Sequence, residues 1–200
     1  MGPIRLGPLV GAGLPNLLSF GGILKVTPYL GLGVNVGLIP TVRISYYGDA
    51  TLSYREYDVY GHIFPFGGAF FLGAGVGYAT INGTLSRTFD VSEYANQFPQ
   101  LGLPSSLYYD SQASVRTLVL TPQIGFLHTF GSGFSIGMDI GGQIPIAPSQ
   151  IEFQSQTPPD VPQALVDQYL GPNDQKVRDT LDKIGRTPIP TINFRIGWLL

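Results

Sequence analysis

The chain of 200 residues carries 11 basic and 13 acidic side chains, a net charge of −2, and so offers no basic footprint for nucleic acid or an anionic lipid surface. Charged residues make up only 12% of it, about half the share of an ordinary soluble domain, and a water-facing surface this poor in charge would be unusual. The absence of cysteine excludes disulfides and thiolate metal sites, and no run of about 18 apolar residues escapes interruption by Gly, Pro or a polar side chain, which excludes a membrane-spanning helix.

If such a chain meets lipid it must do so as a closed sheet, because hydrocarbon tolerates only helices and edge-free barrels. Its length suits one domain over residues 1–200. Residues 1–20 lack a basic start, an apolar stretch and a small-residue cleavage site, so we read the sequence as a mature, processed chain with an added Met1.

Period-two alternation runs through the sequence. A first hairpin spans Ile4 to Val26 and bends at Leu14, Pro15 and Asn16. In the next strand Leu30, Leu32, Val34, Val36 and Leu38 oppose Gly31, Gly33, Asn35 and Gly37. A strand from Leu52 to Phe64 turns at Pro65–Gly68 into one where Phe70, Leu72, Ala74, Val76 and Tyr78 oppose Gly73, Gly75, Gly77 and Ala79. Asn82, Gly83 and Thr84 read as turn chemistry, followed by a long loop over 86–113. Leu118, Leu120, Ile124 and Phe126 then oppose Thr117, Thr121, Gln123 and Gly125, and a glycine turn at Gly131–Gly133 leads into Phe134 to Ile146. A second long loop covers 148–188. In it Asp160 could cap a short helix to Leu170, and Asn173 a second with Val177, Leu181 and Ile184 on one face, closed by Gly185. A small helical lid and a mobile loop of marginal helicity are both open readings. The closing strand alternates Ile192, Phe194, Ile196 and Trp198 with Asn193, Arg195 and Gly197.

These segments predict an all-β fold: a transmembrane, up-and-down antiparallel β-barrel of eight strands, with a short helical segment in the last extracellular loop. Tight turns at Thr27, Pro65 and Ser132 fall on one side, the periplasmic side in barrels of this kind, and the long loops on the other.

Parity then sorts the polar residues. It places Arg5, Lys25, Asn35, Glu56, Asp58, His62, Gln123, Asp139, Gln143, Asn193 and Arg195 inside. An eight-stranded barrel is only wide enough for side chains to fill it, so this set predicts a paired polar plug rather than an aqueous channel. The inward glycines leave space for Arg and Tyr from across the lumen. Aromatic residues fall into two groups: Phe64, Phe66, Phe70, Phe126, Phe130, Phe134 and Trp198 near the short turns, and Tyr46, Tyr47, Tyr54 and Tyr78 toward the long loops, as two membrane interfaces select. His128 belongs with the first group as an interfacial anchor. His62 is a weak candidate acid or base, and no GxSxG elbow, HExxH or calcium-loop spacing is present. The expectation is no enzyme, no metal and no cofactor.

With its alternating strands, the turn Pro65–Gly68 followed by Ala69–Tyr78, and a closing strand ending in Trp198, Leu199 and Leu200, the chain resembles the small eight-stranded outer-membrane β-barrel proteins of gram-negative bacteria over nearly its whole length. The resemblance implies an outer-membrane location and a bilayer as partner. It also implies assembly by the machinery that reads an aromatic residue near the end of the last strand.

The leading functional expectation is a plugged barrel acting through its extracellular loops in binding or envelope structure. A narrow pore or transporter for small, apolar solutes is the alternative, motivated by Pro40, Pro122 and Pro145, each of which removes a ladder bond. An outer-membrane enzyme centred on His62 comes third. A soluble ligand-binding barrel would need its apolar face inside and many more surface charges.

Overall fold

The computed structural model describes residues 4–45, 49–90, 92, 106–156 and 171–200. In chain order these form β1 (Arg5–Leu14), β2 (Leu18–Thr27), β3 (Leu30–Ser45), β4 (Asp49–Ile63), β5 (Phe70–Asp90), β6 (Ser106–Thr129), β7 (Phe134–Pro145), β8 (Gln150–Gln156), one helix, α1 (Gly171–Arg186), and β9 (Ile189–Trp198). All pairings are antiparallel, and the order β5-β4-β3-β2-β1-β9-β7-β6 closes on itself through β5–β6, making a barrel of eight strands with up-and-down connections. Closure leaves the barrel no free edge, which a sheet in hydrocarbon requires.

β8 is not part of the ring. It lies on β6 above the point where β7 leaves: Val119 faces Pro145, and three residues back along β6 Arg116 faces Gln150, five residues on. The chain therefore makes a two-residue excursion at Pro145 and resumes the same ladder. Pro40 has a comparable effect, sitting in the bulge of β3 between Ile39 and Val42. Both follow from the missing N–H of proline.

Outward positions are apolar around the ring, with Leu6, Val34 and Val59 each more than half exposed. Inward positions hold the polar and small residues together with a smaller buried apolar set, and the large apolar face lies outside, the inverse of a soluble ligand-carrying barrel. An apolar band of this extent suits hydrocarbon and would be an aggregation surface in water.

The two ends differ. At one, tight turns follow Thr27, Ile63 and Thr129, and β1 meets the chain after β9 through reciprocal bonds between Leu6 and Leu200, each 3.0 Å. At the other, β5 and β6 run far past what a bilayer needs, about 9–11 residues per strand. Their ladder continues through Asp90 opposite Ser106. The expected loop over 86–113 is thus corrected: its flanks are paired strand, and only 91–105 lies between them. Asn82–Thr84, read as a turn, lies inside β5. Within 148–188 the structure places β8 and α1; the helix expected over Asp160–Leu170 lies outside the described residues.

Candidate functional site

The inward row of β4 sets the interior. Glu56, Asp58, Tyr60 and His62 alternate along it, all buried. On the β3 side their register partners are Gly37, Asn35, Gly33 and Gly31; on the β5 side they are Ala79, Gly77, Gly75 and Gly73. A bulky row is thereby laid between two rows with little or no side chain. The space is fully used: a Cβ added at Gly33 would lie 2.3 Å from the Tyr60 ring, and one at Gly73 would lie 2.5 Å from His62. The inward glycines thus make room for the neighbouring strand, where Arg and Tyr from across the lumen were expected. Arg195 on β9 is seated in the same way, between Gly11 of β1 and Gly137 of β7.

Around this row some of the polar groups pair, while Asp58 Oδ1 and both ring nitrogens of His62 are buried without a hydrogen-bond partner. Arg195 Nε lies 3.1 Å from Asp139 Oδ2, and Asn193 Nδ2 donates to Asp139 Oδ1 at 2.9 Å. Asn16 Nδ2 donates to Glu56, and the Tyr54 hydroxyl donates to Gln143 Oε1 at 2.8 Å. His62 is stacked on Phe71, with ring centroids 3.8 Å apart, and lies 4.6 Å from the Tyr60 ring. Gln123 is buried on β6, and Asn35 is half-buried opposite Asp58.

Buried apolar clusters flank this chamber on both sides. Toward the short turns Leu9, Ile23, Phe64, Phe71, Leu127 and Leu199 pack with Tyr60 into a septum, each no more than 4% exposed. Toward the long-loop end Tyr54, Ala79 and Val119 pack with Ile39 and Ile81. Above them the end of α1 docks on the barrel mouth. Thr117 Oγ1 donates to the Gly185 carbonyl at 3.3 Å and lies 2.8 Å from Ser149 Oγ, and Ile184 and Gly185 line an apolar pocket with Val115, Val119 and Pro145.

Three parts of the sequence reading change. Arg5 and Lys25 do not join the other charges: they lie beyond the septum, half-buried at the short-turn mouth, where Lys25 Nζ sits 3.8 Å over the Phe64 ring. Parity assigns a face of the sheet, not a depth along it, so it could not separate them. Phe64 is not an interfacial ring but part of the septum, and Tyr54 is not at the membrane surface but buried against Gln143. Both are even-numbered, on the face of Glu56 and His62, Tyr54 within β4 and Phe64 just past its end. Tyr46 and Tyr47 lie outside the described residues.

Phe66, Phe70, Phe126, Phe130, Phe134 and Trp198 are exposed around the short-turn end, Phe134 against Trp198 at 6.1 Å, with His128 edge-on to Phe130 at 4.6 Å. Tyr78 is exposed nearer the other end, opposite Tyr57, which is exposed as well. Asn16 and Tyr60 were also missed: Asn16 sits in a turn, where no periodicity reports which way a side chain folds.

No protein-family model matches the chain, and no curated protein matches it. Among solved structures it is similar to CarO2 of Acinetobacter baumannii, with a TM-score of 0.53 and 10% identity over 98% of this chain and 100% of that one. It is likewise similar to CarO of Acinetobacter baumannii, with a TM-score of 0.52 and 12% identity over 97% of each. At such identities the likeness is one of fold: a small barrel of the outer-membrane type.

Proposed function

We propose that this chain is an outer-membrane β-barrel without enzymatic activity, whose lumen is closed and whose work, in binding or envelope organisation, is done at its long-loop end. One observation supports the reading: buried apolar clusters flank the polar chamber of the interior on the short-turn side and on the long-loop side. A filled interior leaves the outer structure to act, and here that structure is large, comprising the projecting ends of β3–β6, the added strand β8 and α1. The bilayer is the partner of the apolar outer face. The closing strand, with Trp198 near its end, is the element offered to the barrel-assembly machinery. The test is single-channel conductance of refolded protein in planar bilayers, with heat-modifiable gel migration as the folding check. A closed barrel is expected, and stable ion-selective steps would overturn the reading. Deletion of residues 150–186 is expected to change binding or envelope properties; no change in either counts against action at that end.

A second reading, a narrow transporter for small apolar solutes, draws on the pocket beneath α1. That pocket borders Pro145, where β7 leaves β6, and the β6–β7 ladder also skips from Leu120 to Gln123 around Pro122. Uptake of an apolar fluorescent dye into vesicles no faster than into protein-free ones would dispose of it.

A further inference from the structure

The short-turn mouth holds a polar feature that the closed chamber does not use. Arg5 on β1 and Lys25 on β2 are directly opposed in the ladder. Like charges in that position repel and destabilise the pair. Neither has a carboxylate to relieve it: the ion pairs among the described residues are Arg195–Asp139 and Arg186–Asp182. Together they line an open pocket with Thr27, His128, Thr129 and the Gly67–Gly68 turn, and no Asp or Glu borders it. Leu127 and Ala69 add apolar surface to its lining, and the Phe64 ring lies beneath Lys25. The Thr27 hydroxyl already accepts the Tyr29 N–H at 3.1 Å, so its own proton is left to donate.

We propose that this pocket binds a small oxyanion, a phosphate or carboxylate group, approaching from the short-turn side, with Arg5 and Lys25 as paired cationic ligands and Thr27 as a hydroxyl donor. An anion between the two cations converts their repulsion into two charge-assisted contacts, and the planar fork of Arg5 matches two oxygens of one group. The Phe64 ring beneath Lys25 strengthens that contact by keeping water from one side. The septum beneath makes the pocket a dead end, so the anion is held at the mouth and not passed inward.

A phosphate group reaches this mouth either free in solution or as the headgroup of a lipid at the adjacent rim, and the chemistry of capture is the same. The test titrates refolded protein in an uncharged detergent with inorganic phosphate, reading backbone amide shifts by NMR. A second arm uses micelles doped with lysophosphatidic acid. Saturable shifts confined to residues 4–6, 25–29, 67–69 and 127–129 are expected. Arg5→Gln and Lys25→Gln should each weaken binding about tenfold, the scale of losing one charge-assisted contact. Arg43→Gln, exposed toward the opposite end, should leave it unchanged. Saturation in the lipid arm alone would support the site with the headgroup as its ligand. Absence of saturable shifts in both arms, or an equal loss in Arg43→Gln, would overturn it. If Arg5→Gln fails the heat-modifiability check, Lys25→Gln decides alone.

Discussion

Arg195 and Asp139 show what a charge inside this barrel requires. Their side chains are buried, and Asn193 and Gly137 complete the seat. Removing one partner leaves the other uncompensated, which for buried pairs costs about 3–5 kcal/mol. Arg195→Met should therefore lower the urea midpoint of the refolded barrel strongly, and adding Asp139→Asn to it should recover part of the loss; a double variant no better than the single one would mean that packing, not charge, dominates there. The glycines make a sharper pair. Gly33→Ala drives a Cβ into the Tyr60 ring, whereas the outward Gly61→Ala meets nothing closer than Leu32 Cδ2 at 3.7 Å. The first should cost about 1–3 kcal/mol, the range for overpacking, and the second almost nothing, when both are unfolded in urea. At this scale the sequence was readable wherever a strand's parity was followed. Tyr54 and Phe64 share the face of Glu56 and His62, and were misplaced because aromatic identity was allowed to outweigh position.

At the scale of elements, the barrel strands were legible because an apolar outer face set against a polar or small inner one imposes strict alternation on them. Toward the long-loop end that alternation fades. Residues 86–90 and 106–113 are mostly polar in sequence and so read as loop, although they are paired throughout. Ser86 Oγ donates to Asp110 Oδ1 across that ladder at 3.0 Å, a contact no periodicity announces. The helix was easier, since Asn173 and Gly185 mark its ends to within two residues of the observed Gly171–Arg186. Gly185 is also where it docks. A side chain there would put its Cβ 2.2 Å from Ser149 Oγ and 2.9 Å from Val115 Cγ1. Gly185→Leu should lift α1 from the mouth without unfolding the barrel. Limited proteolysis would then cut near residues 184–188 faster than in the parent chain, while heat-modifiable migration stays the same. Unchanged cleavage would show that α1 is held by something other than this contact.

For the whole molecule, the consequence of depth is that charge is divided along the axis. Glu56, Asp58 and Asp139 share the central chamber with Arg195, whereas Arg5 and Lys25 stand at the short-turn mouth on the far side of the septum. The sequence showed three cations and three anions on one face and suggested one balanced plug; the layer of Phe64, Phe71, Ile23 and Leu127 that separates them depends on which residues meet at the same height, and only the closed register reveals that. The division has an electrical signature. Trimming the septum with Phe64→Ala and Phe71→Ala should cost about 3–5 kcal/mol per ring, so heat-modifiable migration must first establish that the variant folds. Combined with deletion of residues 171–186, which uncovers the opposite mouth, the trimmed barrel should show small conductance steps in planar bilayers, while the parent chain stays closed. Those steps should favour cations. Three carboxylates against one guanidinium act in a confined, weakly screened chamber, whereas the two cations at the open mouth are screened by salt within about 10 Å at 0.1 M. Anion-selective steps would mean that the mouth, not the chamber, governs passage; silence in the trimmed variant would mean that the chamber side chains close the lumen without help from the septum.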